Sequence, residues 1–215
     1  MPIQTKICGL STPESVDAAV AGGASHIGFM FFAKSPRNVT IEHAAALAAR
    51  LPEYVSAVGV FVDPDAGFLD EVRKQVPLKA IQLHGDERPA FAAQMVQRHG
   101  IEIWKVIPVK TADDVTQASA YRGSAKRILY DAKTPKGADL PGGMGLRFDW
   151  NLLQSLQHPL PWMLAGGLHA GNVAEAVRVT GADFVDVSSG VESAPGIKDV
   201  DKIKAFLKAT AELRK

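Results

Sequence analysis

Eight short apolar runs alternate with segments of helical character, glycine–alanine return turns recur, and no dinucleotide fingerprint follows the first run. These observations predict an α/β chain folded as a (β/α)8 barrel rather than an open doubly wound sheet. The strands are read in order as QTKIC (4–8), HIGFMF (26–31), SAVGVFV (56–62), KAIQL (79–83), EIWKVI (102–107), KRILYD (126–131), PWMLA (161–165) and DFVDVS (183–188). Most successive starts lie a little over twenty residues apart, room for a strand, a loop, a helix and a return loop. The interval from 126 to 161 is longer and holds the glycine-rich stretch 132–145.

The connecting segments carry helix signals. PESVDAAVAGG (13–23) has proline at its start and glycines past its end. Phe206, Leu207 and Leu213 form an apolar stripe for a final helix. GGASHIGF (22–29) and TGADFVDV (180–187) both run from helix end through glycine and alanine into a strand, with glycine where a left-handed cap is wanted. No linker divides the chain, so residues 1–215 are read as one TIM-barrel domain.

Composition narrows the function. The chain has 215 residues, 47% hydrophobic and 22% charged, with a net charge of +1. That balance gives no electrostatic reason to bind nucleic acid or an anionic membrane surface. No run of about eighteen apolar residues is present, and MPIQTKICGL lacks the apolar core of a signal peptide. One cysteine, Cys8, leaves no intramolecular disulfide to form; the expected compartment is the cytoplasm.

Active sites of such barrels gather at the carboxyl ends of the strands. Cys8 ends the first strand and Asp131 the sixth. A thiol and a carboxyl on opposite walls of the mouth can move two protons on a small substrate, provided both are tuned toward neutrality. The structural alternatives are a packing thiol, and an aspartate paired with Lys133 or Lys136. LAGGL (164–168) and VSSGVESAPG (187–196) close the last two strands, where barrels frequently bind phosphate. Gly166, Gly167, Ser188, Ser189 and Gly190 are expected to hold an anion through main-chain donors, against the alternative of ordinary tight turns.

The loop KTPKGADLPGGMGLRFDW (133–150) exceeds the usual connection length, and is read as a lid or else as a surface excursion. Arg37, after the second strand, can grip a carboxylate in bidentate fashion, or serve a loop salt bridge. His84 ends the fourth strand and points toward the same mouth, with a packing role as the alternative. By strand parity Lys6 shares the face of Cys8, and Asp186 that of Ser188. A buried lysine needs a partner, and Asp186 is the expected one.

KICGL, FFAKSPRNVT, GVFVDP, IQLHGDE, ILYDAKTPKG with GGMGLRFDW, LAGGL and DVSSGVESAPGIKD, in this order, resemble the phosphoribosylanthranilate isomerase family of tryptophan biosynthesis from residue 5 to about 200. The resemblance implies an Amadori rearrangement of N-(5-phosphoribosyl)anthranilate. It further implies Cys8 as general base at C2, Asp131 as general acid at the ring oxygen, and Arg37 as holder of the anthranilate carboxylate. It implies no cofactor, a small-molecule substrate, and either a monomer or a homodimer. The histidine-pathway isomerase carries an aspartate where Cys8 stands and two symmetric phosphate grips. A catalytically dead sugar-phosphate binder would need neither Cys8 nor Asp131.

Overall fold

The computed structural model describes residues 3–135, 137–138, 140–154 and 157–213. Among these, eight parallel strands close into a barrel in chain order: β1 (Gln4–Cys8), β2 (His26–Phe31), β3 (Ser56–Phe61), β4 (Ala80–Leu83), β5 (Glu102–Val109), β6 (Arg127–Ala132), β7 (Trp162–Leu164) and β8 (Phe184–Val187). β8 pairs back onto β1, with Lys6 opposite Asp186. Every strand read from the sequence is present. β5 runs two residues further than its apolar run, and β7, three residues long, is one residue shorter than its run at each end.

The helices are α1 (Pro13–Ala21), α2 (Ile41–Ala48), α3 (Ala66–Gln75), α4 (Pro89–His99), α5 (Ala112–Thr116), α6 (Asn151–Gln154), α7 (Val173–Thr180) and α8 (Val200–Ala211). Thr12 caps α1 through a reciprocal box with Ser15, and Pro13 starts the helix where a missing N–H costs nothing. Gly181 ends α7 at φ +71°, as the return-turn pattern requires. At α1 the pattern slips by one residue: Gly22 stays right-handed, and Gly23 takes the left-handed turn at φ +87°. The stripe read for the last helix needs one correction. Ile203, Phe206, Leu207 and Thr210 are its buried face, while Leu213 lies past its end.

Two apolar cores follow from strand parity. Outward residues such as Ile7, Phe29, Ile81, Ile128 and Val185 join the helices in the larger core. Inward residues Val58, Ala80, Trp104, Leu129, Met163 and Phe184 belong to a separate cluster that fills the lumen. His26 is tilted against both Trp104 and Phe184 at its base. On β4, β6 and β8 the inward row turns polar towards the carboxyl end, Ala80 then Gln82, Leu129 then Asp131, Phe184 then Asp186, and on β1 Lys6 is followed by Cys8. This apolar floor with a polar rim is what places chemistry at one mouth.

Candidate active site

Cys8, Arg37, His84, Asp131, Gly166, Gly167, Asp186, Ser188 and Ser189 line one pocket at that mouth. Cys8 and Asp131 are three strands apart by the shorter way round the barrel, with β8 and β7 between them. Both are buried, at 5% and 7% exposure.

Asp131 Oδ1 accepts a hydrogen bond from the N–H of Ala132 at 2.8 Å, which turns Oδ2 towards His84. His84 Nε2 lies 3.4 Å from that oxygen, outside good hydrogen-bond geometry, and Nδ1 is 3.4 Å from Gln82 Nε2. The alternative partner Lys133 is instead 2.8 Å from Asp114, and Lys136 lies outside the described residues. Asp131 is therefore not consumed by a lysine of its own loop, Lys133.

Residues 140–146 of the long loop fold over the pocket. Leu140, Pro141, Gly142, Gly143, Met144, Gly145 and Leu146 all contribute to its wall. Gly142 passes so close that a Cβ there would sit 2.6 Å from His84 Nε2 and 2.8 Å from Asp131 Oδ2. Only a glycine lets this backbone cover the carboxyl without displacing it.

Arg37 is buried and fully oriented. Its Nε donates to Glu192 Oε1 at 2.7 Å, and Nη2 donates to Glu192 Oε2 at 2.9 Å and to the Gly143 carbonyl at 2.9 Å. The bidentate grip read from the sequence is thus made to a carboxylate of the chain itself; Nη1 is the guanidinium nitrogen nearest the Cα side of Gly143, and Arg37 lines the pocket. Glu192 also accepts from Lys198 Nζ at 2.7 Å. Burial works against the Glu192 carboxylate, but Arg37 and Lys198 outweigh it and hold its pKa low. Lys198 completes its donors on Ser188, at 2.9 Å to the carbonyl and 3.2 Å to Oγ.

Glu192 and Lys198 were not singled out in the sequence. They lie on a short antiparallel hairpin, β9 (Glu192–Ala194) and β10 (Ile197–Lys198), that follows β8. Their signal was present only as the alternating charges of GVESAPGIKD.

The loops after β7 and β8 pack against each other at Gly190 and Leu168. Gly166 and Gly167 have φ of +87° and +63°, conformations that favour glycine. Ser189 and Gly190 open a single 3-10 turn, Ser189–Val191, so their N–H groups have no acceptor within it. Gly190 is not among the residues that line the pocket and sits behind its wall, packed against the Leu168 carbonyl.

Beneath the mouth, Lys6 Nζ donates to Asp186 Oδ1 at 2.9 Å. The pairing inferred from strand parity is present, with Lys6 completely buried. Burial disfavours the ammonium, but Asp186 and Cys8 outweigh it, so the Lys6 pKa lies above that of a free lysine. Burial pushes the Cys8 thiol up; the Lys6 and Lys198 ammonium groups oppose that push, and Asp186 adds to it.

Fold and pocket together define a (β/α)8-barrel enzyme, with its ionisable groups at the strand ends where such enzymes do their chemistry. The model of N-(5'-phosphoribosyl)anthranilate isomerase matches residues 5–209, and the chain belongs to that family. The N-(5'-phosphoribosyl)anthranilate isomerase of Rhodospirillum centenum is 54% identical over 214 residues, covering 99% of this chain and all of that protein. The crystal structure of phosphoribosyl anthranilate isomerase from Thermotoga maritima superposes with a TM-score of 0.88 at 37% identity, covering 98% of this chain and 100% of that one. A second solved structure of such an isomerase holds reduced 1-(o-carboxyphenylamino)-1-deoxyribulose 5-phosphate; it has a TM-score of 0.86 at 35% identity, with the same coverage.

Proposed function

We propose that this barrel carries out the Amadori rearrangement of N-(5'-phosphoribosyl)anthranilate to 1-(2-carboxyphenylamino)-1-deoxyribulose 5-phosphate in tryptophan synthesis, with Cys8 as general base and Asp131 as general acid. Family membership over residues 5–209 supports the reaction. The observation that carries the residue roles is that Cys8 and Asp131 line one covered pocket whose far wall is built of glycine loops.

The steps balance without an external oxidant. The anthranilate nitrogen pushes its lone pair toward C1 of the ribose, the bond from C1 to the ring oxygen breaks, and the Asp131 carboxyl gives that oxygen its proton. The resulting protonated Schiff base acidifies the hydrogen on C2. The Cys8 thiolate removes it, the electron pair forms a C1–C2 double bond, and the charge on nitrogen is neutralised. The enolamine then takes a proton at C1 and loses the hydroxyl proton at C2 to give the ketone. One carbon is reduced and its neighbour oxidised, so the reaction itself calls for no redox partner.

The rest of the pocket supplies binding. In this reading Arg37 meets the anthranilate carboxylate through Nη1, held in line by Glu192. The main-chain N–H groups around Gly166, Gly167, Ser189 and Gly190, with Ser188, seat the phosphate. His84 and Asp186 contact the ribosyl part from opposite sides of the acid and base. The 140–146 segment excludes water from the Schiff base, which would otherwise hydrolyse. Among the described residues no helix is long and apolar enough to cross a membrane. A pathway enzyme acting on a free metabolite fits the cytoplasm.

Anthranilate fluorescence tests the reading. Mixing the phosphoribosylated amine with catalytic amounts of this protein should extinguish the emission at a rate proportional to enzyme. An unchanged emission with folded protein would rule out the assignment.

A further inference from the structure

The completely buried Lys6 has no stability rationale of its own. A buried ion pair is on balance no better than well-packed apolar side chains of the same volume, because desolvation offsets the attraction. Yet the lumen, elsewhere filled by Trp104, Leu129, Met163 and Phe184, accommodates an ammonium directly below Cys8. Three features of the geometry bear on why.

First, the donors of the two nearby lysines are spent differently. Lys198 Nζ meets three acceptors, on Ser188 twice and on Glu192. Among the described residues Lys6 Nζ makes one hydrogen bond of good geometry, to Asp186 Oδ1, although an ammonium has three N–H groups. Second, Gly28 stands opposite Cys8 in the β1–β2 register, and a Cβ there would lie 2.9 Å from Cys8 Sγ and 3.1 Å from Lys6 Nζ. The absent side chain leaves sulfur and ammonium facing the same small space. Third, Lys6 and Asp186 are register partners on adjoining strands, so the pair is fixed by the barrel ladder and not by a mobile loop.

We propose that the Lys6–Asp186 pair is a positioning device for the isomerisation: Lys6 stabilises the Cys8 thiolate with its remaining N–H groups, and Asp186, by sharing the ammonium, limits that stabilisation. A base that must take a proton from carbon needs its own proton gone beforehand, and burial alone opposes that. Lys6 supplies the counter-charge without entering the pocket. The other titratable and charged groups around this cluster are His26 beside Lys6 on β2, Asp131 and His84 across the lumen from Asp186, and Lys198 with Arg37 and Glu192 beyond Ser188. The inference rests on Cys8 being the base, and the test separates the two.

Because Cys8 is the only cysteine in the chain, the ultraviolet absorbance of its thiolate and its rate of alkylation both report this one group. Lys6→Met should raise the thiol pKa by about one to three pH units, while Asp186→Asn should lower it. A pair that merely supports the fold would move both in the same direction or neither, and that result overturns the proposal. Should a single variant fail to fold, the double variant K6M/D186N leaves no orphan charge. It is expected to raise the thiol pKa by less than Lys6→Met, since Lys6 is the stronger influence on Cys8. An unchanged value in the double variant overturns the proposal as well. In the same proteins, the acid limb of the kcat/KM profile should move with the thiol. A thiol that shifts while the limb stays still would uphold Lys6 as the control on Cys8 and remove Cys8 as the base.

Discussion

The guanidinium of Arg37 shows how much of a binding group's work is done by its support. Nε and Nη2 are taken by Glu192 and Gly143, so the group is immobilised before substrate arrives. Arg37→Lys keeps the charge and loses the fork, and lysine cannot satisfy both Glu192 oxygens and still reach the pocket. KM for the substrate should rise about tenfold, with kcat changing less, in steady-state kinetics. An equal fall in kcat with unchanged KM would instead assign Arg37 to the transition state. Which residues were legible in the sequence follows from the same geometry. Cys8, Asp131 and His84 stand at ends of apolar runs, and strand parity with the cost of burying an unpaired lysine pointed Lys6 to Asp186. Glu192 and Gly142 were not legible as site residues, because what they touch, Arg37 and the His84–Asp131 edge, is supplied by segments remote in sequence.

At the scale of elements, the turn Ser189–Val191 and the loop after β7 are locked together at Gly190. A Cβ at Gly190 would run into the Leu168 carbonyl, which is backbone and cannot rotate away. Gly190→Ala should therefore destabilise the protein by about 1–3 kcal/mol and part the two loops, measured by denaturant unfolding. It should also weaken binding of inorganic phosphate. Native stability in this variant would show that the loops adjust freely. The strands were legible because each is a run of apolar residues between turn signals. The hairpin β9–β10 was not, since strands of three and two residues carry no periodicity. The extent of α8 was misjudged for a related reason: Leu213 continues the apolar pattern but packs after the helix has ended.

For the whole molecule, the division between an apolar barrel floor and a polar mouth has a consequence for pH. His26 lies on the floor against Trp104 and Phe184, and burial, with the Lys6 and Arg127 charges, lowers its pKa to about 4. Unfolded, it titrates near 6.5, so the unfolded chain binds the proton more readily between those values. Stability from this group is complete above pH 6.5 and is lost as pH falls toward 4, by at most about 1.4 kcal/mol for each pH unit. Urea unfolding at a series of pH values should show that slope, and His26→Leu should flatten it. The polar mouth carries the central claim, that acid and base act from separate strands on one enclosed sugar. The most direct measurement is kcat/KM for Cys8→Ser and Asp131→Asn beside their affinity for the reduced product analogue. Each variant should lose at least about a hundredfold in kcat/KM while binding the analogue within a few-fold of the parent protein. Turnover near the parent rate in either variant would contradict the account.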